Sequence, residues 1–110
     1  MQDLQARIAR IKKELAALGD MRPGTLSEQY NVCGKPGCRC KDPRKPQKHG
    51  PYYQLSYTHL GKSTTEFVRK DMLAETKTQV ANYALFKRLT LEWVTLSLRI
   101  ARQRRLEVDR

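Results

Sequence analysis

Acidic residues are scarce in this chain. Eleven Asp and Glu stand against twenty-two Lys and Arg, a net charge of +11 with a pI near 10.0. Such an excess favours a polyanionic partner, nucleic acid first, because each Lys or Arg laid on a phosphate releases a condensed counterion. Long apolar runs are missing too. No stretch approaches the ~18 uninterrupted apolar residues of a bilayer span, and no secretory signal is visible, so a cytoplasmic chain with no membrane partner is expected. An apolar share of 39% over 110 residues leaves a modest core, and a metal or partner chain is expected to supply part of the stability. Also absent are a Ser/His/Asp constellation and a phosphate-cradling glycine loop. Those absences point away from an enzyme and from a small-molecule substrate.

Cysteine is lacking everywhere except in one window of eight residues, Cys33-Gly34-Lys35-Pro36-Gly37-Cys38-Arg39-Cys40, and His49, one of two histidines, follows. In a reducing compartment clustered thiols read as metal ligands before disulfides, and an odd number points the same way. Three thiolates and an imidazole complete a tetrahedral Zn²⁺ set, with ligand atoms converging within roughly 2.0–2.3 Å of the metal. The spacing is C-x4-C-x-C-x8-H. Gly34, Pro36 and Gly37 let the first spacer turn sharply, and a bend at Arg39 brings Cys38 and Cys40 to one side. His59 is a rival fourth ligand. Four protein ligands leave no position for a catalytic water, so the zinc is expected to be structural. The competing reading is a low-pKa redox thiol beside Lys35 and Arg39. The segment also carries Lys35, Arg39, Lys41, Arg44, Lys45 and Lys48 against one acid, Asp42.

Around that segment the hydrophobic pattern is simple. Leu4, Ile8, Ile11, Leu15 and Leu18 follow an a/d spacing, which predicts a helix over 2–18 that stops at Gly19 and packs on the C-terminal helix, in this chain or a partner. Arg22-Pro23-Gly24-Thr25 is a turn signal. Residues 26–32 lead into the cysteines as a short strand or a helical turn, and 33–51 form a loop that zinc would organise. Residues 52–58, with Tyr53, Leu55 and Tyr57 on one face, and 63–68 predict a β-hairpin turning at His59-Leu60-Gly61-Lys62. Asp71 is the expected N-cap of a helix running to about Leu106, since no proline or glycine occurs in 71–110. That helix carries two apolar stripes. One is Leu89, Trp93, Leu96 and Ile100; the other is Leu91, Val94, Leu98 and Ala101. The surplus over what one neighbour covers suggests a homodimer with coiled-coil packing. Arg99, Arg102, Arg104, Arg105 and Arg110 exceed what the macrodipole needs and read as a phosphate-contacting arm.

The motif Cys33-Gly-Lys-Pro-Gly-Cys-Arg-Cys with His49-Gly-Pro-Tyr-Tyr-Gln-Leu-Ser-Tyr and Gly61-Lys62 resembles a family of small basic prokaryotic proteins classed as a domain of unknown function, over about residues 22–106. The resemblance implies membership and a setting among mobile elements, and no activity. The hairpin, Gly50-Pro-Tyr-Tyr-Gln-Leu-Ser-Tyr with its Gly-Lys turn and following helix, looks like the arm-binding domain of phage-type integrases. That likeness implies a small sheet laid on DNA, with Gln54, Ser56, Thr58, Lys62, Thr64 and Arg69 toward a groove and Leu55 and Phe67 packed inward.

The expected protein is therefore α+β: a short N-terminal helix (1–20), a zinc-stapled loop with a β-hairpin or three-stranded sheet (21–70), and a long helix with a basic end (71–110). Its expected role is non-catalytic, zinc-stabilised nucleic-acid binding, DNA before RNA, through the six cations of the cysteine segment with Lys62, Arg69, Arg99, Arg102 and Arg105. The alternative is a zinc-stapled interaction module that recruits a transposase or recombinase through the long helix.

Overall fold

The computed structural model describes residues 2–31 and 49–108. Along the chain these are helix α1 (Gln2–Ala16), strands β1 (Thr25–Asn31), β2 (His49–His59) and β3 (Lys62–Val68), a 3-10 turn (Lys70–Met72) and helix α2 (Leu73–Val108). The strands form one antiparallel sheet in the order β1-β2-β3, so the architecture is α+β, as the sequence pattern implies. The chain divides into two compact units: Met1–Met21 with Ala81–Arg110, and Arg22–Val80.

The first unit is helical. The a/d residues of α1 land where their spacing puts them: Ile8 and Ile11 are buried with Leu89, Leu96 and Ile100, and Leu4, Leu15, Leu85 and Trp93 pack around them. Each fully buried Leu or Ile contributes about 1.5–3 kcal/mol relative to exposure, so this seam is what holds α1 down. The Arg7–Glu92 pair at 3.1 Å and the Lys12 ammonium 5.2 Å from the Trp93 ring sit at its margin. Both partners of the ion pair are solvated, so it adds at most about 1 kcal/mol. α1 ends at Ala16, two residues short of the expected Leu18, and the Asn82 side-chain amide then donates to the Asp20 carbonyl at 2.8 Å.

The second unit is the sheet with the opening turns of α2. Of the segment 26–32, the described residues 26–31 form a strand: Leu26 pairs with Leu55 and Glu28 with Tyr53, while β3 places Glu66 opposite Leu55 and Val68 opposite Tyr53. Leu26, Tyr53, Leu55, Tyr57, Glu66 and Val68 therefore share one face, which is covered; Leu55 is wholly buried. Gly24 precedes β1 at φ +124°, where a Cβ would lie 2.6 Å from the Ser56 carbonyl. Only glycine permits that approach. The Arg22 N–H donates to the Gln79 carbonyl at 3.1 Å, tying the entry of β1 to the first turns of α2. In those turns the buried Thr76 hydroxyl donates to the Met72 carbonyl at 2.9 Å.

Three expectations need correction. Strand β2 begins at His49, so the predicted loop over 33–51 extends too far. Proline lacks the N–H a central strand needs, but the β1 register shifts between Gln29 and Asn31, opposite Gly50–Pro51, and such a slip is where a proline is tolerated. Asp71 does not cap α2. Its carboxylate is taken by the Arg69 guanidinium in two hydrogen bonds, at 3.2 and 2.7 Å, and a 3-10 turn leads into the helix. Phe67, finally, does not pack inward. It lies directly opposite Gln54, on the open face, and is 76% exposed.

Candidate nucleic-acid interface and metal segment

The expected ligands Cys33, Cys38 and Cys40 lie outside the described residues, as do Lys35, Arg39, Lys41, Arg44, Lys45 and Lys48. The two ends of that segment are described, and they are neighbours. Asn31, the last residue of β1, pairs with His49, the first of β2. Partners in an antiparallel ladder have Cα atoms about 4.5–5.5 Å apart, so the segment leaves and re-enters the sheet at one point. His59, exposed at the other end of β2, is ten residues further on, about 33 Å at the strand rise. Among the described residues no three of His, Cys, Asp and Glu converge on a common point.

The remaining predicted cations fall in different units. Lys62 is exposed just after the hairpin turn. That turn is the two-residue loop Leu60-Gly61, both at positive φ (51° and 78°), the combination that defines a type I′ hairpin. Arg69 is exposed beyond β3, oriented by Asp71. In the helical unit, Arg99 and Arg102 line an open depression of about 420 Å³ with Thr95 and Leu98. Arg105 continues their three-residue spacing and is exposed.

The six sheet residues expected at a groove do not share a face. Gln54, Ser56 and Thr58 point to the open side, whereas Thr64 pairs with Tyr57 and Lys62 with His59, in register with the covered side. The open side instead presents Thr25, Ser27 and Gln29 from β1, Tyr52, Gln54, Ser56 and Thr58 from β2, and Ser63, Thr65 and Phe67 from β3. None of these carries a charge. Two pairs of hydroxyls meet across the strands, Ser56 with Thr65 at 3.1 Å and Thr58 with Ser63 at 2.9 Å. Such pairs stabilise a sheet and tie up part of its polar surface.

The covered side holds one polar cluster. The Glu66 carboxylate accepts from the Arg22 guanidinium at 2.6 Å and from the Tyr57 hydroxyl at 2.9 Å. That hydrogen bond, reinforced by partial desolvation and the charge of Glu66, raises the Tyr57 pKa. The cluster has the makings of a structural brace, with no nucleophile beside it.

A family model matches residues 1–78, described as a domain of unknown function, DUF6788. The chain belongs to that family. The match starts at residue 1, ahead of α1, and ends early in α2, so the DUF6788 region takes in the N-terminal helix, the cysteine segment and the sheet, and lies further toward the N-terminus than the expected span of about 22–106. No curated protein and no solved structure matches the chain. No helix among the described residues is long and apolar enough to cross a membrane.

Proposed function

We propose that the chain is a non-catalytic nucleic-acid-binding protein, DNA before RNA, whose cysteine segment is stapled by a structural zinc. The observation that carries this reading is the pairing of Asn31 with His49. It fixes both ends of a segment holding three thiols and six cations at one end of the sheet. Cys33 follows Asn31 by two residues in the sequence, and His49 closes the same segment, whereas His59 lies at the other end of β2. His49 is thus the fitting fourth ligand. The donor set of three thiolates and one imidazole suits tetrahedral Zn²⁺, and when bound the metal would supply folding energy to a stretch with little apolar material of its own. The cations between the ligands then form a phosphate-binding surface, to which the likeness to integrase arm-binding domains and a mobile-element setting add support for DNA.

A second reading is favoured by one observation. On α2, Leu91, Val94 and Leu98 are 69%, 55% and 66% exposed, and they recur at the a/d spacing of a helical seam. This stripe suits a second copy of the chain, giving the homodimer, or the helix of a transposase or recombinase that the module would recruit. Salt separates the two readings, because phosphate binding weakens log-linearly with salt and apolar burial barely responds.

The test is an electrophoretic shift of duplex DNA, single-stranded DNA and RNA by protein purified with zinc, before and after chelation, with metal content measured in parallel. The proposal expects one zinc per chain, a shift strongest with DNA, and loss of the shift on chelation. Protein without stoichiometric metal that still shifts DNA would refute the staple; absence of any shift would refute the function.

A further inference from the structure

The open face of the sheet has a composition at odds with the rest of the chain. In a protein of net charge +11, this face is free of charged side chains yet exposes two aromatic rings, Tyr52 at 41% and Phe67 at 76%. The rings are on adjacent strands at the same end of the sheet. At the end of the hairpin they border an open depression of about 400 Å³, together with Pro51, Arg69 and Lys70 and with Tyr53 and Val68 of the covered side. Pro51 is two residues from His49, so this depression adjoins the place where the cysteine segment re-enters the sheet.

Cations and rings here divide the features of an unpaired nucleotide between them. A base offers a π face that stacks on an exposed aromatic ring whatever its identity, and its phosphate needs a cation at the rim. Arg69 stands at that rim with Nε and one terminal nitrogen engaged by Asp71, which leaves its other terminal N–H groups and the Lys70 ammonium for a phosphate. A duplex offers no such face, because its bases are stacked on one another. The Gln54 amide beside the rings can both donate to and accept from a base edge. We infer that this face binds single-stranded nucleic acid, stacking an unpaired base on Phe67 and Tyr52 while Arg69 and Lys70 hold the adjoining phosphate. The inference rests on the nucleic-acid reading above and assigns a separate task to the sheet: the cysteine segment grips backbone, and the sheet selects unpaired bases.

The test measures fluorescence anisotropy of a short labelled oligothymidylate and of a labelled duplex with the full-length zinc-loaded chain and its Phe67→Ala, Phe67→Trp and Tyr52→Ala variants. Phe67 is mostly solvated, so these variants keep the fold, which circular dichroism verifies. Base–aromatic stacking removed by alanine weakens single-strand binding by roughly 5- to 150-fold. Phe67→Ala should show a loss in that range, Tyr52→Ala a smaller one, and Phe67→Trp none, with duplex affinity unchanged within about twofold in all three. Equal losses for both probes, or no loss for either, would overturn the inference while leaving nucleic-acid binding intact. Failure of the unaltered protein to bind either probe would overturn both readings. If Phe67→Ala alters only self-association, the face is a protein contact and the inference is wrong.

Discussion

Leu60 occupies the first position of the β2–β3 turn at φ +51°, a conformation that places Cβ too near its own carbonyl. For an ordinary side chain this costs roughly 1–2 kcal/mol, and asparagine escapes much of it by bonding locally to the backbone. Type I′ turns accordingly prefer Asn-Gly, and here the second residue is already Gly61. Leu60 is 92% exposed, so removing its isobutyl group forfeits no packing. We expect Leu60→Asn to stabilise the sheet unit by about 0.5–1 kcal/mol, a rise of about 0.2–0.5 M in the urea midpoint for m near 2 kcal/mol/M. Near-UV circular dichroism is a suitable signal, since Tyr30, Tyr52, Tyr53 and Tyr57 all belong to that unit. Leu60→Ala retains the backbone penalty and should be neutral. A midpoint unchanged by Leu60→Asn would mean that the turn stores no such strain, and one raised equally by alanine would assign the effect to the exposed side chain.

Gly24→Ala should destabilise by about 1–3 kcal/mol, because the φ of +124° and the Ser56 carbonyl 2.6 Å from the new methyl act together; a urea midpoint within error of the parent would contradict this. The raised Tyr57 pKa means that its neutral form is favoured by folding. The corresponding stability is complete below the ordinary tyrosine value of about 10 and is lost as pH climbs through the raised folded value. Urea midpoints measured across that alkaline range should fall for the parent and fall less for Tyr57→Phe. An identical decline in both would remove the brace formed with Glu66 and Arg22.

Much of the architecture was legible because two periodicities are strong. The seam of Leu4, Ile8, Ile11 and Leu15 named the face of α1 that meets Leu89, Leu96 and Ile100, and alternation around Leu55 marked the hairpin. Residues 26–32 stayed ambiguous because Leu26-Ser-Glu-Gln-Tyr has little β-branched character; pairing with β2 decides its state, and that contact is non-local. The facing of Phe67 was recoverable. A two-residue loop at Leu60-Gly61 pairs His59 with Lys62 and, counting outward, Gln54 with Phe67, so Phe67 must leave the Leu55 side. Placing it inward followed the likeness to integrase arm-binding domains, where register decides.

Asp71 was read from a local rule and lost to a local competitor, since Arg69 captures its carboxylate two residues away. The exposed aromatic end of the sheet becomes visible only once three strands are in register.

The proposed zinc-held segment would grip phosphate through Lys35, Arg39, Lys41, Arg44, Lys45 and Lys48. The most direct test of that grip is the slope of log Kobs against log salt for duplex DNA and the zinc-loaded protein. Six phosphate contacts predict a slope of about −5, and neutralising any one of these residues to Gln should reduce its magnitude by about 1. A flat dependence, or a slope indifferent to all six substitutions, would rule out that grip.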